Sequence, residues 1–409
     1  MTGAGPARGF RRFGRAPRGA LRLALLAGCA LVSAALAIPP AIRPAIAPAI
    51  PPAIAPAAAP GPVPAIPPAA TPPAVPGPTP PGMLATDWSF PHPDATFQMT
   101  APIAVRAHHF MPYTYEIVPT HLRHDHWVRM VRLLASAPRV IHHAVVYIRR
   151  PGSPWLKDAP IGRPFTAKSL KRERDRRDAE WTDNPLLLVA GPGTQPLRFP
   201  HGMGIYLPAG ADLVFQFHFM PSGHTASELG GVQLVFTRGR PRRRVLTLQL
   251  TNDTFAIPPH AADYRVEVHG FMPHGATVLG FYPHMHLRGR RFEYNWVHRD
   301  GKVQRLLDIR WRFFHEMNYF LRRPFWMPRG AELQAVGWYN NSAGNPLNPN
   351  PNVTVRWGDQ ATSEMMVGFF FVAVPLKMSK WDFFLPPGSH PPRSTVPTPL
   401  PFPHPPPGH

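Results

Sequence analysis

Short apolar runs separated by turn-forming residues dominate the chain between residues 84 and 385. Ten such runs, rich in β-branched and aromatic residues, lie at 113–118, 140–148, 212–219, 232–237, 245–250, 264–268, 277–282, 291–297, 332–339 and 365–374. Clusters of Pro, Gly and Asn stand between them. β-Branched and aromatic side chains suit the pleated, half-buried surface of a sheet, and the turn residues end each run by reversing the chain. No long stretch carries the 3.6-residue period of a helix. The expected fold is all-β, built from antiparallel β-sandwiches. About 300 residues exceed one typical domain, so two sandwiches in tandem are expected, 84–240 and 241–385. Their boundary is the arginine-rich break in the apolar pattern at 240–244.

The flanks have a different composition. Residues 38–83 are nearly all Pro, Ala and Ile, which cannot pack a core and favour extended polyproline II. Such a stalk reaches on the order of 140 Å at about 3.1 Å per residue. Residues 386–409 form a similar Pro-rich tail. Both are expected to be disordered. Residues 1–37 read as an export leader, with an Arg-rich start followed by the apolar run 23–37. Leu26, Ala27, Gly28 and Cys29 have the form of a bacterial lipobox, which would leave a lipid on Cys29, whereas Ala35, Leu36 and Ala37 offer ordinary signal cleavage. The chain is thus expected in a bacterial cell envelope, either lipid-anchored with a membrane tether through Cys29, or periplasmic or secreted after ordinary cleavage.

Cys29 is the only cysteine. The folded part therefore has no disulfide and no thiolate ligand, which excludes blue-copper and multicopper centres. The net charge of +21 raises the question of nucleic acid. No basic motif interleaved with aromatics accompanies it, and no nucleic-acid partner is expected. HExxH, a nucleophile elbow, a phosphate loop and a dinucleotide fingerprint are all missing from the sequence. A polysaccharide monooxygenase would need a histidine at the processed N-terminus, and neither cleavage leaves one.

Three segments carry candidate metal ligands. His284 and His286 flank Met285 in a run of aromatic and apolar residues. On a strand, side chains at i and i+2 share a face, so both imidazoles can reach one ion while Met285 points into a core. The plainer reading is two surface histidines. His142 and His143 are adjacent, and neighbours on a regular strand face opposite sides. They can share an ion only where the strand begins or kinks, which Pro138 and Arg139 allow. His218 alternates with Leu213, Phe215, Phe217 and Phe219 and falls on the other, polar face with Gln216 and Met220. That face suits a third imidazole or a solvent-exposed histidine. Met365 precedes Val367, Phe369 and Phe371 at i+2 spacing and reads as core filler or as a soft thioether ligand, which selects Cu(I).

The stretches VIHHAVVY, LPAGADLVFQFHFMPSG, FYPHMHLRGRRFEY and YNNSAGNPLNPNPNVTVRWGDQATSEMM resemble the copper type II, ascorbate-dependent monooxygenases, a family that includes peptidylglycine α-hydroxylating and dopamine β-monooxygenases. The likeness is closer to the uncharacterised secreted bacterial members. It implies two jelly-roll-like domains with two copper ions per chain. It assigns His142, His143 and His218 to an electron-transfer copper, and His284, His286 and Met365 to the oxygen-activating, catalytic copper. Met365 is preferred over Met366 because it directly follows Glu364, as in the family's Glu-Met pair. Ascorbate or a similar reductant and O2 are the implied co-reactants, with hydroxylation of a C–H bond as the reaction. The family's peptide-amidating enzymes clamp a substrate carboxylate with Arg, Asn and Tyr. The matching positions here are Tyr282, Val367 and Phe369, so the implied substrate pocket takes a small neutral or apolar molecule. Two further readings stand beside this one: a non-catalytic copper-binding envelope protein, and a double jelly-roll ligand-binding or adhesion module with incidental histidines.

Overall fold

The computed structural model describes residues 79–384, apart from residue 86 and residues 172–183. The leader, Cys29, nearly all of the Pro-rich stalk and the C-terminal tail lie outside the described residues. Those described fall within one compact unit and are nearly all β. No helix among them is long and apolar enough to cross a membrane.

Three large sheets build the structure. A nine-stranded sheet runs in the order Ala95–Gln98, Gly231–Phe236, His126–Leu134, Met203–Leu207, Arg243–Thr251, Val367–Pro375, Ala276–His284, Tyr319–Met327, with Leu197–Arg198 also paired to His126–Leu134. A five-stranded sheet has the order Phe165–Thr166, Thr114–Pro119, Asp212–Phe219, Ile141–Arg149, Leu186–Ala190. A four-stranded sheet has the order Tyr264–Phe271, Glu332–Tyr339, Gly289–Val297, Val303–Arg310. The five-stranded sheet faces the N-terminal half of the large sheet across one apolar core, and the four-stranded sheet faces its C-terminal half across a second.

The two halves share the large sheet. It passes from one to the other where Met203–Leu207 lies parallel to Arg243–Thr251, through the pairs Met203 with Arg243 and Gly204 with Arg244. The strand Val367–Pro375 shows the consequence. Val367, Phe369, Phe371 and Ala373 enter the first core, while Phe370, Val372 and Val374 enter the second. A strand buried on both faces must be apolar at every position, which explains its unbroken hydrophobic run. With no disulfide in the described residues, this shared wall holds the halves together. Phe371 packs against Phe320 at 5.2 Å and Phe199 at 6.0 Å between ring centroids. Each such fully buried large side chain contributes about 1.5–3 kcal/mol.

The chain begins its pairing one residue ahead of the expected start at 84. Met83 is buried and bridges Leu321 on the outermost strand, where Arg322 N donates to Gly82 O at 2.8 Å.

Candidate metal centre

The first two histidines share a site because of a β-bulge. A 3-10 turn, Pro138–Val140, leads into the strand Ile141–Arg149. Its pairing with Asp212–Phe219 slips at this point, with His143 opposite His218 but Ile141 opposite Phe219. His142 is the extra residue of the bulge, and such insertions re-aim a side chain. His218 therefore stands beside both. It is buried, not solvent-exposed, and its Nδ1 lies 2.9 Å from Nδ1 of His142.

The second pair comes from the large sheet. His284 ends the strand Ala276–His284 opposite Val367. Continued by two residues, the antiparallel register sets His286 opposite Met365 and Met285 opposite Met366. The cores agree: Met365 belongs to the first with Val367 and Phe369, whereas Met285 and Met366 belong to the second. The backbone that carries His286 is fixed by Glu364, whose carboxylate accepts from His286 N at 2.8 Å and Arg288 N at 2.6 Å. The buried Arg288 side chain in turn donates to Asn341 Oδ1 at 2.9 Å and Thr362 O at 2.8 Å. Burial pushes the Glu364 carboxyl up to about 8, against the pull of the Arg288 guanidinium.

The resemblance assigns the two histidine sets to different coppers in different domains, whereas the fold brings their rings together. All five imidazoles meet in one buried cluster. Ring centroids of His142 and His286 are 4.6 Å apart, those of His143 and His284 5.1 Å, and those of His142 and His284 5.6 Å. Among the described residues, the group close enough to share an ion is His142, His143 and His284, with ligand atoms within 4.8 Å of one another. It draws on both halves. His108, His109, His121, His124 and His126 lie close together in the sequence but form no such group among the described residues.

The cluster's hydrogen bonding is incomplete. Nε2 of His142, Nδ1 of His143, Nε2 of His284 and Nε2 of His286 are buried with no partner. Each unsatisfied buried polar atom costs about 1–3 kcal/mol, so four in one place need a compensating interaction. Partners on the other ring nitrogens set the tautomers. His284 Nδ1 faces Glu316 Oε2 at 3.0 Å and His286 Nδ1 faces Ser363 O at 3.3 Å. Both partners are acceptors, so Nδ1 carries the hydrogen and Nε2 offers its lone pair. Nδ1 of His142 and Nδ1 of His218 share a hydrogen bond at 2.9 Å, which leaves Nε2 of His142 as its unpartnered atom. Burial, followed by the neighbouring imidazoles, holds His142, His143 and His286 well below the ordinary histidine range. Burial brings His218 down to about 4, against a hydrogen bond to Gln360. Neutral imidazoles are the form that binds metal. The donor set, imidazoles with Met365 on the same face and no thiolate, fits copper.

Aromatic rings close the site. Phe313 stacks on His142 at 5.1 Å, and Tyr113 lies against His218 at 4.7 Å and His143 at 5.5 Å. No imidazole of the five is more than 5% exposed. Tyr282, Val367 and Phe369, expected to line a substrate pocket, are packed into the first core. Tyr282 donates its hydroxyl to Glu316 Oε2 at 2.9 Å. The sequence reading passed over Glu316. Its one signal was an acid set among aromatic residues in RWRFFHEMNYF.

No family model and no curated protein matches this chain. Among solved structures it is similar to the major capsid protein P2 from bacteriophage PM2, at 9% identity and a TM-score of 0.27, covering 69% of this chain and 98% of that one. It is also similar to a structure of infectious bursal disease virus strain Gx, at 8% identity and a TM-score of 0.16, covering 71% of this chain and 74% of that one. At these scores neither likeness carries an argument about function.

Proposed function

We propose that the five-imidazole cluster is a copper centre and that the chain is a copper-dependent monooxygenase. The observation that carries the reading is one buried cluster of five imidazoles in which four ring nitrogens have no partner and ligand atoms of His142, His143 and His284 lie within 4.8 Å of one another. His142, His143 and His284, whose ligand atoms lie within 4.8 Å of one another, would hold one ion, with His218, His286 and Met365 the donors for a second beside it. Copper held there would cycle between Cu(I) and Cu(II) and activate O2 toward a substrate C–H bond, with ascorbate or a similar reductant as electron source. The chain's own residues keep the imidazoles neutral by burial and exclude water with Phe313 and Tyr113. Glu316 and Ser363 orient His284 and His286. Tyr282, Val367 and Phe369 are buried in the first core, so the small neutral or apolar substrate rests on the family resemblance alone. Export to a bacterial cell envelope, with a tether at Cys29, belongs to the same proposal.

A specific observation favours a second reading. With every imidazole at 5% exposure or less, the cluster is closed, as suits an envelope protein that holds copper without turnover. One experiment separates the two. The purified chain, loaded with Cu(I) under anaerobic conditions, is given ascorbate and air while oxygen consumption is followed across a panel of small aromatic and apolar compounds. Two ions bound and consumption stimulated by a compound support the monooxygenase. Two ions and no stimulation by any compound support the holding protein. No bound copper removes both.

A further inference from the structure

We infer that Glu316 is the positioning residue that fixes His284 as a metal ligand, and that a loop of the other half of the molecule locks Glu316 in place. The inference rests on reading the cluster as a metal centre.

Glu316 lies in the loop between the strands Val303–Arg310 and Tyr319–Met327, and it is wholly buried. Oε2 receives the Tyr282 hydroxyl at 2.9 Å and faces His284 Nδ1 at 3.0 Å. A carboxylate oxygen has only lone pairs to offer, so the ring hydrogen sits on Nδ1. Nε2, buried and without a partner, is left free to coordinate. A carboxylate behind a ligating imidazole fixes its tautomer and orientation and strengthens it as a donor.

The backbone that carries the carboxylate is clamped from the N-terminal half. Glu316 N donates to Pro192 O at 2.8 Å, and Thr194 Oγ1 donates to Glu316 O at 2.8 Å. Two residues on, Asn318 N donates to Gln195 Oε1 at 3.1 Å and Gln195 Nε2 donates to Asn318 O at 2.5 Å. Gly191 lies flat on the carboxyl group: a Cβ at this position would stand 2.5 Å from Glu316 Cδ. Any side chain there must displace the carboxylate. The half that brings His142 and His143 to the cluster thus also sets the donor atom of His284.

The test uses the full chain and copper alone. Cu(I) is titrated against a competing chelator, and the Cu(II) form is examined by electron paramagnetic resonance, for wild type, Glu316→Ala, Glu316→Gln and Gly191→Ala. Far-UV circular dichroism of the metal-free proteins checks the fold. Glu316→Ala and Gly191→Ala are expected to weaken copper binding roughly 10- to 100-fold and to change the nitrogen hyperfine pattern. Glu316→Gln, whose amide oxygen still accepts from Nδ1, should recover most of the affinity. Folded Glu316→Ala with wild-type affinity and spectrum overturns the inference and leaves the copper reading intact. A loss in Glu316→Gln as deep as in Glu316→Ala also overturns it, since positioning by an acceptor behind Nδ1 requires that the amide oxygen suffice. Should Glu316→Ala fail to fold, Gly191→Ala and Glu316→Gln decide. Wild type that binds no copper overturns the copper reading instead.

Discussion

The ring of His142 lies closer to that of His286, 4.6 Å between centroids, than to that of its chain neighbour His143, at 4.8 Å. One histidine comes from the five-stranded sheet and the other from the turn after a strand of the large sheet. Contact between them means that the two expected ligand sets are one cluster, and that losses at one set reach the other.

His142→Ala should therefore disturb the whole centre. The expected outcome is a changed resonance spectrum for both bound ions and a drop in stoichiometry from two coppers towards one or none. Metal analysis of the dialysed protein beside wild type checks this. A variant that loses one ion and leaves the second spectrum unaltered would restore the picture of two separate pockets.

Met365 and Met366 should respond differently to the same change. Met365 is on the histidine side, and Met366 is buried in the second core with Met285. Met365→Ile is expected to weaken Cu(I) binding at least 10-fold and to leave Cu(II) binding by imidazole nearly untouched, because the thioether is the soft donor. Met366→Ile should leave copper affinity alone and cost less than about 1.5 kcal/mol in stability, as volume-conserving apolar exchanges do. Chelator competition and urea unfolding of the pair distinguish them.

The metal-free protein should be acid-sensitive above the range where carboxylates titrate. Burial lowers His142, His143, His218 and His286 in the folded state, His218 to about 4, while the unfolded chain protonates near 6.5. Between those values the unfolded state binds more protons at these imidazoles, so their contribution to stability is full above about pH 6.5 and falls as the pH drops towards 4, against an opposite and smaller slope from the carboxyl of Glu364, which burial raises to about 8. Each imidazole adds a slope of up to about 1.4 kcal/mol per pH unit. Urea midpoints at pH 7.5, 6.0 and 5.0 measure it, and His218→Gln should flatten the curve. A midpoint constant from pH 7.5 to 5.0 would contradict the burial argument.

Removing one large side chain from the wall between the cores should be severe. Phe371→Ala is expected to cost about 3–5 kcal/mol, since the ring is 3% exposed and packed against Phe199 and Phe320. The same change at Val303, 59% exposed on a strand of the four-stranded sheet, should fall within about 0.5 kcal/mol.

Local pattern carried much of this structure. The runs at 212–219 and 332–339 coincide with strands, because short stretches of β-branched and aromatic residues bounded by turn residues suit a sheet. The strand Tyr319–Met327 escaped notice for a physical reason. It is an edge strand, so Arg322, Arg323 and Pro324 are tolerated where a central strand would be apolar. For His142 and His143, sequence could state the condition for a shared site, a kink, and the bulge opposite His218 supplies it. The joining of the two histidine sets was beyond reach. It depends on how sheets from distant parts of the chain dock, and no local period encodes that. Glu316 was hidden likewise, because its partners Pro192 and Thr194 are more than a hundred residues away.

The most direct test of the single-centre account is anomalous diffraction at the copper edge from crystals of the copper-loaded chain. The account predicts anomalous density inside the cluster, bounded by imidazoles of both halves, with His142, His143 and His284 among the ligands. Copper density confined to exposed histidines such as His108 and His109, with the cluster empty, would contradict it.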